Sequence, residues 1–175
     1  MRRLVTGHDD EGRSVVVDDG VSPRTHSYTN FPGFVTGLAW ATDPGRQASR
    51  TGEDDSEKVD SFVPAPGGTR LITMVVPPDA WMASPDFDGI AFVAEQMENG
   101  PGLAELFEPD GMHTTPTIDY TIVTEGEIWL ELSDGSQTLL TAGDIVVQNA
   151  TQHAWRNKSD NPAKLVSVLI GVDKE

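Results

Sequence analysis

The fold is decided by residues 111–157, which read GMHTTPTIDYTIVTEGEIWLELSDGSQTLLTAGDIVVQNATQHAWRN. This stretch contains two of the four histidines of the chain, His113 and His153, and its glycines separate short runs rich in β-branched and aromatic residues. Side chains on a strand point alternately to opposite faces. One face of residues 112–124 therefore carries His113, Thr115, Thr117, Asp119, Thr121 and Val123, and the other carries Ile118, Tyr120 and Ile122. A face with a histidine and a carboxylate normally points to water, unless a barrel encloses it.

The spacing of these residues resembles the first motif of the cupin superfamily, Gly-x5-His-x-His-x3or4-Glu-x6-Gly. His113 stands at the first histidine position, Asp119 at the glutamate position and Gly126 at the closing glycine. Thr115 stands where the second histidine belongs.

The second cupin motif, Gly-x5-Pro-x-Gly-x2-His-x3-Asn, is similar to residues 143–157. Gly143 opens it, His153 takes the histidine position and Asn157 the asparagine position. Asn149 and Thr151 replace the proline and the glycine, and the spacing before His153 is one residue shorter. The resemblance extends from residue 110 to residue 171.

This resemblance implies an all-β, antiparallel jelly-roll barrel whose interior brings His113, Asp119 and His153 together. Two imidazoles and a carboxylate suit one divalent ion (Fe, Zn, Mn or Ni) with positions left open for water and substrate. The same three residues also suit a metal-free pocket in which they act as general acid and base. Both alternatives remain open from the sequence.

Five further residues are expected to line the pocket and bind substrate. Trp155 shares the face of His153 and is suited to stack on a flat substrate. The complete set is Thr115, Thr117, Thr121, Trp155 and Asn157.

The composition limits the possible partners. The net charge of −16 opposes binding to nucleic acid, since phosphate contacts need lysine and arginine, and it opposes binding to anionic membranes. No apolar run is long enough for a membrane helix, and residues 1–12 have basic residues but no apolar core behind them, so they are not expected to act as a signal peptide. The absence of cysteine fits a cytoplasmic protein. The expected partner is a small organic substrate.

The remainder of the chain predicts a single domain, residues 1–175, with the barrel motifs at 111–171. Strands are expected at 14–17, 34–40 and 69–76, and a long irregular loop at 43–68 whose Phe62 docks onto the body. One or two short helices are expected, the first with Ser84 as its N-cap. Its apolar stripe is expected to pack on the outside of the sheet or over one end of the barrel, and it consists of Phe87, Ile90, Ala91, Ala94 and Met97. Asp134-Gly135 predicts a type I′ hairpin turn.

The resemblance implies an enzyme that dehydrates, isomerises or cyclises a small molecule, by acid–base or metal-assisted chemistry. The alternatives are a non-haem metal-dependent dioxygenase and a cupin that binds a small molecule without catalysis. Cupins commonly pair through sheet edges, so a homodimer is expected, with the N-terminal run 4–17 as the exchanged strand.

Overall fold

A computed structural model describes residues 1–173, which form eleven β-strands and one α-helix. The strands are β1 (Arg2–His8), β2 (Ser14–Val21), β3 (Thr25–Ser27), β4 (Val35–Thr42), β5 (Thr69–Val76), β6 (Thr117–Glu125), β7 (Glu127–Leu132), β8 (Gln137–Thr141), β9 (Ile145–Asn149), β10 (His153–Arg156) and β11 (Ala163–Gly171). The helix is α1 (Gly89–Asn99), and 3-10 turns lie at Asp55–Glu57, Asp79–Ala83 and Ala104–Leu106. In the described part of the chain, no helix has the length and apolar character that crossing a bilayer requires.

All strands pair in antiparallel fashion, which confirms the predicted fold class. One sheet has six strands in the order β3-β4-β5-β11-β6-β9, a second has three in the order β10-β7-β8, and β1 and β2 form a separate hairpin. The two larger sheets pack face to face, because Val123 and Leu165 of the first share a core with Ile128 and Leu140 of the second. The arrangement is a jelly roll in which the sheets of residues 1–173 are not joined by hydrogen bonds into one closed barrel.

The alternation predicted for β6 is confirmed by its burial. Thr117, Asp119, Thr121 and Val123 are buried, whereas Tyr120 on the opposite face is exposed. The polar face of β6 therefore points between the two sheets.

The turn at Asp134-Gly135 differs from the prediction. A type I′ turn needs positive φ at both central residues, but only Gly135 has one, at 79°. The amide of Gly135 donates to the carbonyl of Leu132 at 2.9 Å, and the amide of Leu132 donates to the carbonyl of Ser136 at 3.0 Å. This is the three-residue type of hairpin, in which a turn is followed by a left-handed glycine.

The start of the helix and most of its buried face were predicted wrongly, and of the predicted stripe Phe87 does pack against Phe31 and Phe92. Its N-cap is Asp88, whose carboxylate accepts from the amide of Ala91 at 3.0 Å, whereas Ser84 bonds to the amide of Asp86 in the preceding turn. Ile90 is 87% exposed. Phe92 faces inward instead, because a cluster of aromatic rings at Tyr28, Phe31 and Phe34 receives it.

Glu95 fastens the inner face of α1 to the loop before β4. It accepts hydrogen bonds from the amides of Thr29 (2.8 Å) and Asn30 (3.0 Å) and contacts Nε2 of His26 at 2.8 Å. Burial alone would raise the pKa of Glu95, but these hydrogen bonds lower it to about 2.

The loop between β4 and β5 packs onto the body of the protein, as its apolar residues predicted. Phe62 is 1% exposed and joins a core cluster with Leu38, Ile72 and Leu169. The first half of this loop contacts the N-terminal hairpin, since the amide of His8 donates to the carbonyl of Arg50 at 2.6 Å.

Candidate functional site

A cavity of about 50 Å³ lies between the two larger sheets. Its polar lining consists of His113, Thr115, Asp119, Thr121, Gln148, His153 and Ser167. Its apolar lining consists of Ile72, Met74, Leu103, Phe107, Trp155 and Leu169. Convergent polar groups beside apolar and aromatic side chains are typical of a small-molecule site.

His113 and His153 lie side by side at the edge of this cavity. Their backbones form an isolated antiparallel bridge, with N–H···O distances of 2.9 Å and 3.0 Å in the two directions. Their ring centroids are 4.2 Å apart and the ring planes are inclined by 52°. The two motifs, whose histidines are 40 residues apart in sequence, therefore meet at one point.

The hydrogen bonds of the two imidazoles assign their tautomers. Nδ1 of His153 is 2.9 Å from the carbonyl oxygen of Thr151, and Nδ1 of His113 is 3.4 Å from that of Gly111. A carbonyl oxygen only accepts, so each Nδ1 carries the proton and each Nε2 keeps a lone pair. Neither Nε2 has a hydrogen-bond partner within residues 1–173.

Burial keeps both imidazoles neutral. The two residues are 6% and 3% exposed. Burial, followed by the charge of His153, lowers the pKa of His113 to about 3. Burial also lowers the pKa of His153. At neutral pH both rings are therefore uncharged bases.

Asp119 contributes a buried carboxyl group from β6. Its Oδ2 accepts from the hydroxyl of Thr115 at 3.3 Å, and Thr117 donates to the Thr115 oxygen at 2.6 Å. Burial raises the pKa of Asp119 against the effect of these hydroxyls. Its Oδ1 is buried and has no hydrogen-bond partner in the described chain.

The structure brings most of the residues predicted from sequence to this cavity. His113, Asp119, His153, Thr115, Thr121 and Trp155 all line it. Thr117 is fully buried behind Thr115 and is not part of the lining.

Asn157 does not reach the cavity. Strand β10 ends at Arg156, so the alternation that relates His153 to Trp155 stops before Asn157. The Asn157 amide instead donates to the carbonyl oxygens of Val76 and Asn161, both at 2.8 Å. This side chain ties the turn after β10 to the end of β5.

Two lining residues were missed by sequence reasoning. Phe107 stacks on His113 with centroids 4.1 Å apart and planes inclined by 25°. It follows a short 3-10 turn, and no periodic pattern marks its direction. Gln148 faces opposite to Ile145 and Val147 on β9, and these two apolar residues are the exposed ones, so the sequence pattern contains no signal that Gln148 is buried.

The predicted metal ligands do not lie close enough together to hold an ion. Among residues 1–173, no three histidine, cysteine, aspartate or glutamate side chains are grouped so that they could hold one metal. His113, Asp119 and His153 therefore do not form a ligand set as they are placed here. Thr115 does not supply the missing imidazole, because a neutral hydroxyl is a weaker ligand for such metals. The metal set stays a prediction.

Comparison with known proteins places the chain in a family. The family model described as a cupin domain matches residues 105–169. The chain is 50% identical over 163 residues to phomopsin biosynthesis cluster protein D of Diaporthe leptostromiformis, an alignment that covers 90% of this chain and 70% of that relative. The chain therefore belongs to the cupin superfamily.

A second relative is named for an enzymatic activity. The cupin-domain-containing oxidoreductase fogC of Aspergillus ruber is 26% identical over 171 residues, which is 96% of this chain and 71% of that relative. Among solved structures, an RmlC-like cupin family protein from Methanocaldococcus jannaschii, described as a double-stranded β-helix, is 15% identical with a TM-score of 0.39. That alignment covers 59% of this chain and 70% of that one.

Proposed function

We propose that this protein is an enzyme that transforms a small organic molecule by proton transfer in the cavity between its sheets. The observation that carries this proposal is the pair of neutral imidazoles, each with Nδ1 bonded to a backbone carbonyl and Nε2 left free. A general base needs a lone pair within reach of the proton that it removes, and the fixed tautomers of His113 and His153 provide two.

Asp119 supplies the complementary acid. Its raised pKa means that its carboxyl group keeps a proton to higher pH than an exposed aspartate does. A carboxylic acid and an imidazole base on one substrate support removal of a proton from carbon or oxygen and protonation of a departing hydroxyl or a carbonyl oxygen. Such reactions are redox-neutral and include dehydration, isomerisation and cyclisation.

The names of the relatives support a role in small-molecule biosynthesis. The relative from Diaporthe leptostromiformis is named for a biosynthesis cluster. We extend that setting to this chain, with a biosynthetic intermediate as the substrate.

A second candidate is an oxidoreductase, which the name of the Aspergillus ruber relative favours. In that case the net change in the substrate is oxidation rather than rearrangement. The two candidates differ in a measurable way, because a redox-neutral reaction consumes no oxidant.

Solvent exchange distinguishes these candidates. A panel of small enolisable ketones, phenols and amides is incubated with the protein in D₂O, and the products are measured by mass spectrometry beside an oxygen electrode. The expected result is deuterium incorporation or loss of water without oxygen uptake. The rate of this reaction should fall about 10²-fold or more in His113→Gln and His153→Gln. His8→Gln, which alters an exposed histidine of β1, is the matched control. Oxygen uptake with an oxidised product would favour the second candidate, and binding without any conversion would contradict both.

A further inference from the structure

Two buried polar side chains face each other across β6 and β9 without a partner. Asp119 and Gln148 are paired in the register of these strands. They are 5% and 4% exposed and both line the cavity. Oδ1 of Asp119 and Nε2 of Gln148 are shielded from solvent and form no hydrogen bond within residues 1–173.

This combination is unfavourable unless something enters the cavity. A buried polar atom without a partner loses its hydration and gains nothing in return. Oδ1 of Asp119 is an acceptor and Nε2 of Gln148 is a donor, so a ligand that satisfies both must offer one donor and one acceptor. Side chains directly opposite on antiparallel strands have Cβ atoms about 5 Å apart, which one small planar group can span.

We propose that Asp119 and Gln148 together bind a carboxamide-type group of the substrate, which donates N–H to Oδ1 of Asp119 and accepts from Nε2 of Gln148. The proposal rests on the proposed function only in taking this cavity as the substrate site. It assigns Gln148 as a residue that determines specificity.

The lining favours an amide over a carboxylate. Among the residues that line the cavity there is no lysine or arginine to balance the negative charge of a carboxylate ligand. Beside Asp119 in a buried setting, at most one of two carboxyl groups can remain ionised cheaply, so a carboxylate ligand carries a cost that a neutral amide does not. An amide carries both a donor and an acceptor without charge.

The rest of the substrate is expected to be flat and apolar. Phe107 and Trp155 contribute aromatic surface, and the Phe107 ring already stacks on His113. Phe107 is 37% exposed and follows the Ala104–Leu106 turn, so it is the lining side chain that an aromatic ligand can displace. A ring held there would lie beside both imidazoles.

Binding of small probes tests the proposal without turnover. Benzamide, methyl benzoate and benzoate are titrated into the protein and followed by NMR chemical-shift changes. Benzamide is expected to bind about tenfold more tightly than methyl benzoate, which offers no donor, and benzoate is expected to bind most weakly. The pair acetamide and methyl acetate repeats the comparison with molecules that need no displacement of Phe107.

Substitutions identify the residues responsible. Gln148→Met and Gln148→Leu remove the donor at similar volume and are expected to abolish the preference for the amide while leaving methyl benzoate unchanged. Asp119→Leu removes the acceptor and is also expected to abolish the preference for the amide. Val147→Thr, which alters the exposed neighbour on β9, is the matched control and should keep the full preference. Thermal unfolding of each variant verifies that it is folded.

The outcomes separate this proposal from the proposed function. Equal binding of amide and ester in both probe pairs, or tighter binding of benzoate than of benzamide, overturns the proposal. So does a full amide preference in folded Gln148→Met. Retained amide preference in His113→Gln together with unaltered solvent exchange in that variant would overturn only the proposed function.

Discussion

Acidification should destabilise this protein well above the pH at which carboxylates usually titrate, because His113 is buried as a neutral imidazole. Its pKa is lowered from 6.5 to about 3 in the folded state. Between these values the unfolded chain binds the proton and the folded protein does not, so the stability contributed by the neutral ring falls as the pH falls below 6.5. From pH 7.5 to pH 5 the free energy of unfolding should decrease by about 2 kcal/mol from this residue.

Other titrating groups are separable from this effect. Glu95, with a pKa of about 2, loses its stabilising hydrogen bonds only below about pH 4.5, outside the chosen window. Asp119 acts in the opposite direction, because a carboxyl with a raised pKa gains protons more readily when folded. His153 adds to the loss in the same direction as His113.

The measurement is urea unfolding at several pH values between 7.5 and 5, on the wild type and on His113→Gln. The variant should lose about 2 kcal/mol less than the wild type over this range. His8→Gln, at an exposed position, should follow the wild-type curve. Parallel curves for wild type and His113→Gln, or a wild type whose stability rises toward pH 5, would refute the reasoning.

Four further predictions test other parts of the molecule. If the predicted metal set forms, elemental analysis should find about one divalent ion per chain and His153→Ala should lose it; far less than one ion after metal soaking would contradict this. Phe62→Ala should cost about 3–5 kcal/mol in urea unfolding, since the side chain is 1% exposed, and a loss below about 1 kcal/mol would contradict its anchoring role. A further hypothesis is that the loop at 43–68 closes over the cavity as a lid; saturating benzamide should then slow tryptic cleavage at Arg46 and Arg50, and unchanged cleavage would make the loop a passive insertion. Light scattering should give a dimer if residues 4–17 exchange, and a monomer of 18.9 kDa would oppose this.

The facing of the strand residues could be predicted because a strand has a fixed period of two. That period placed Asp119 and Thr121 on the buried face of β6 and Thr115, just before the strand, on the same side, and the structure has all three in the cavity lining. The same rule failed at Asn157, because the strand ends one residue earlier and the period ends with it. Strand ends depend on tertiary contacts that the local sequence does not contain.

The helix shows the limit of apolar periodicity. Ile90 and Met97 have helical spacing, yet both are exposed, at 87% and 40%. The buried face is selected by partners distant in sequence, namely the aromatic cluster around Phe92 and the amides that bind Glu95. From the sequence alone, Glu95 is expected to be a solvent-facing charge, because its hydrogen-bond donors at Thr29 and Asn30 are distant in the chain.

The pKa values of the cavity groups are shifted by their shared burial. Burial disfavours the charged form of every group, so it lowers the pKa of an imidazole and raises that of a carboxyl. For His113 the value falls to about 3, while the pKa of Asp119 lies above its ordinary value of 3.8. The two shifts oppose the ordinary order, in which an imidazole takes up its proton at a higher pH than a carboxyl group does. Burial therefore favours the uncharged form of the acid and of the bases alike.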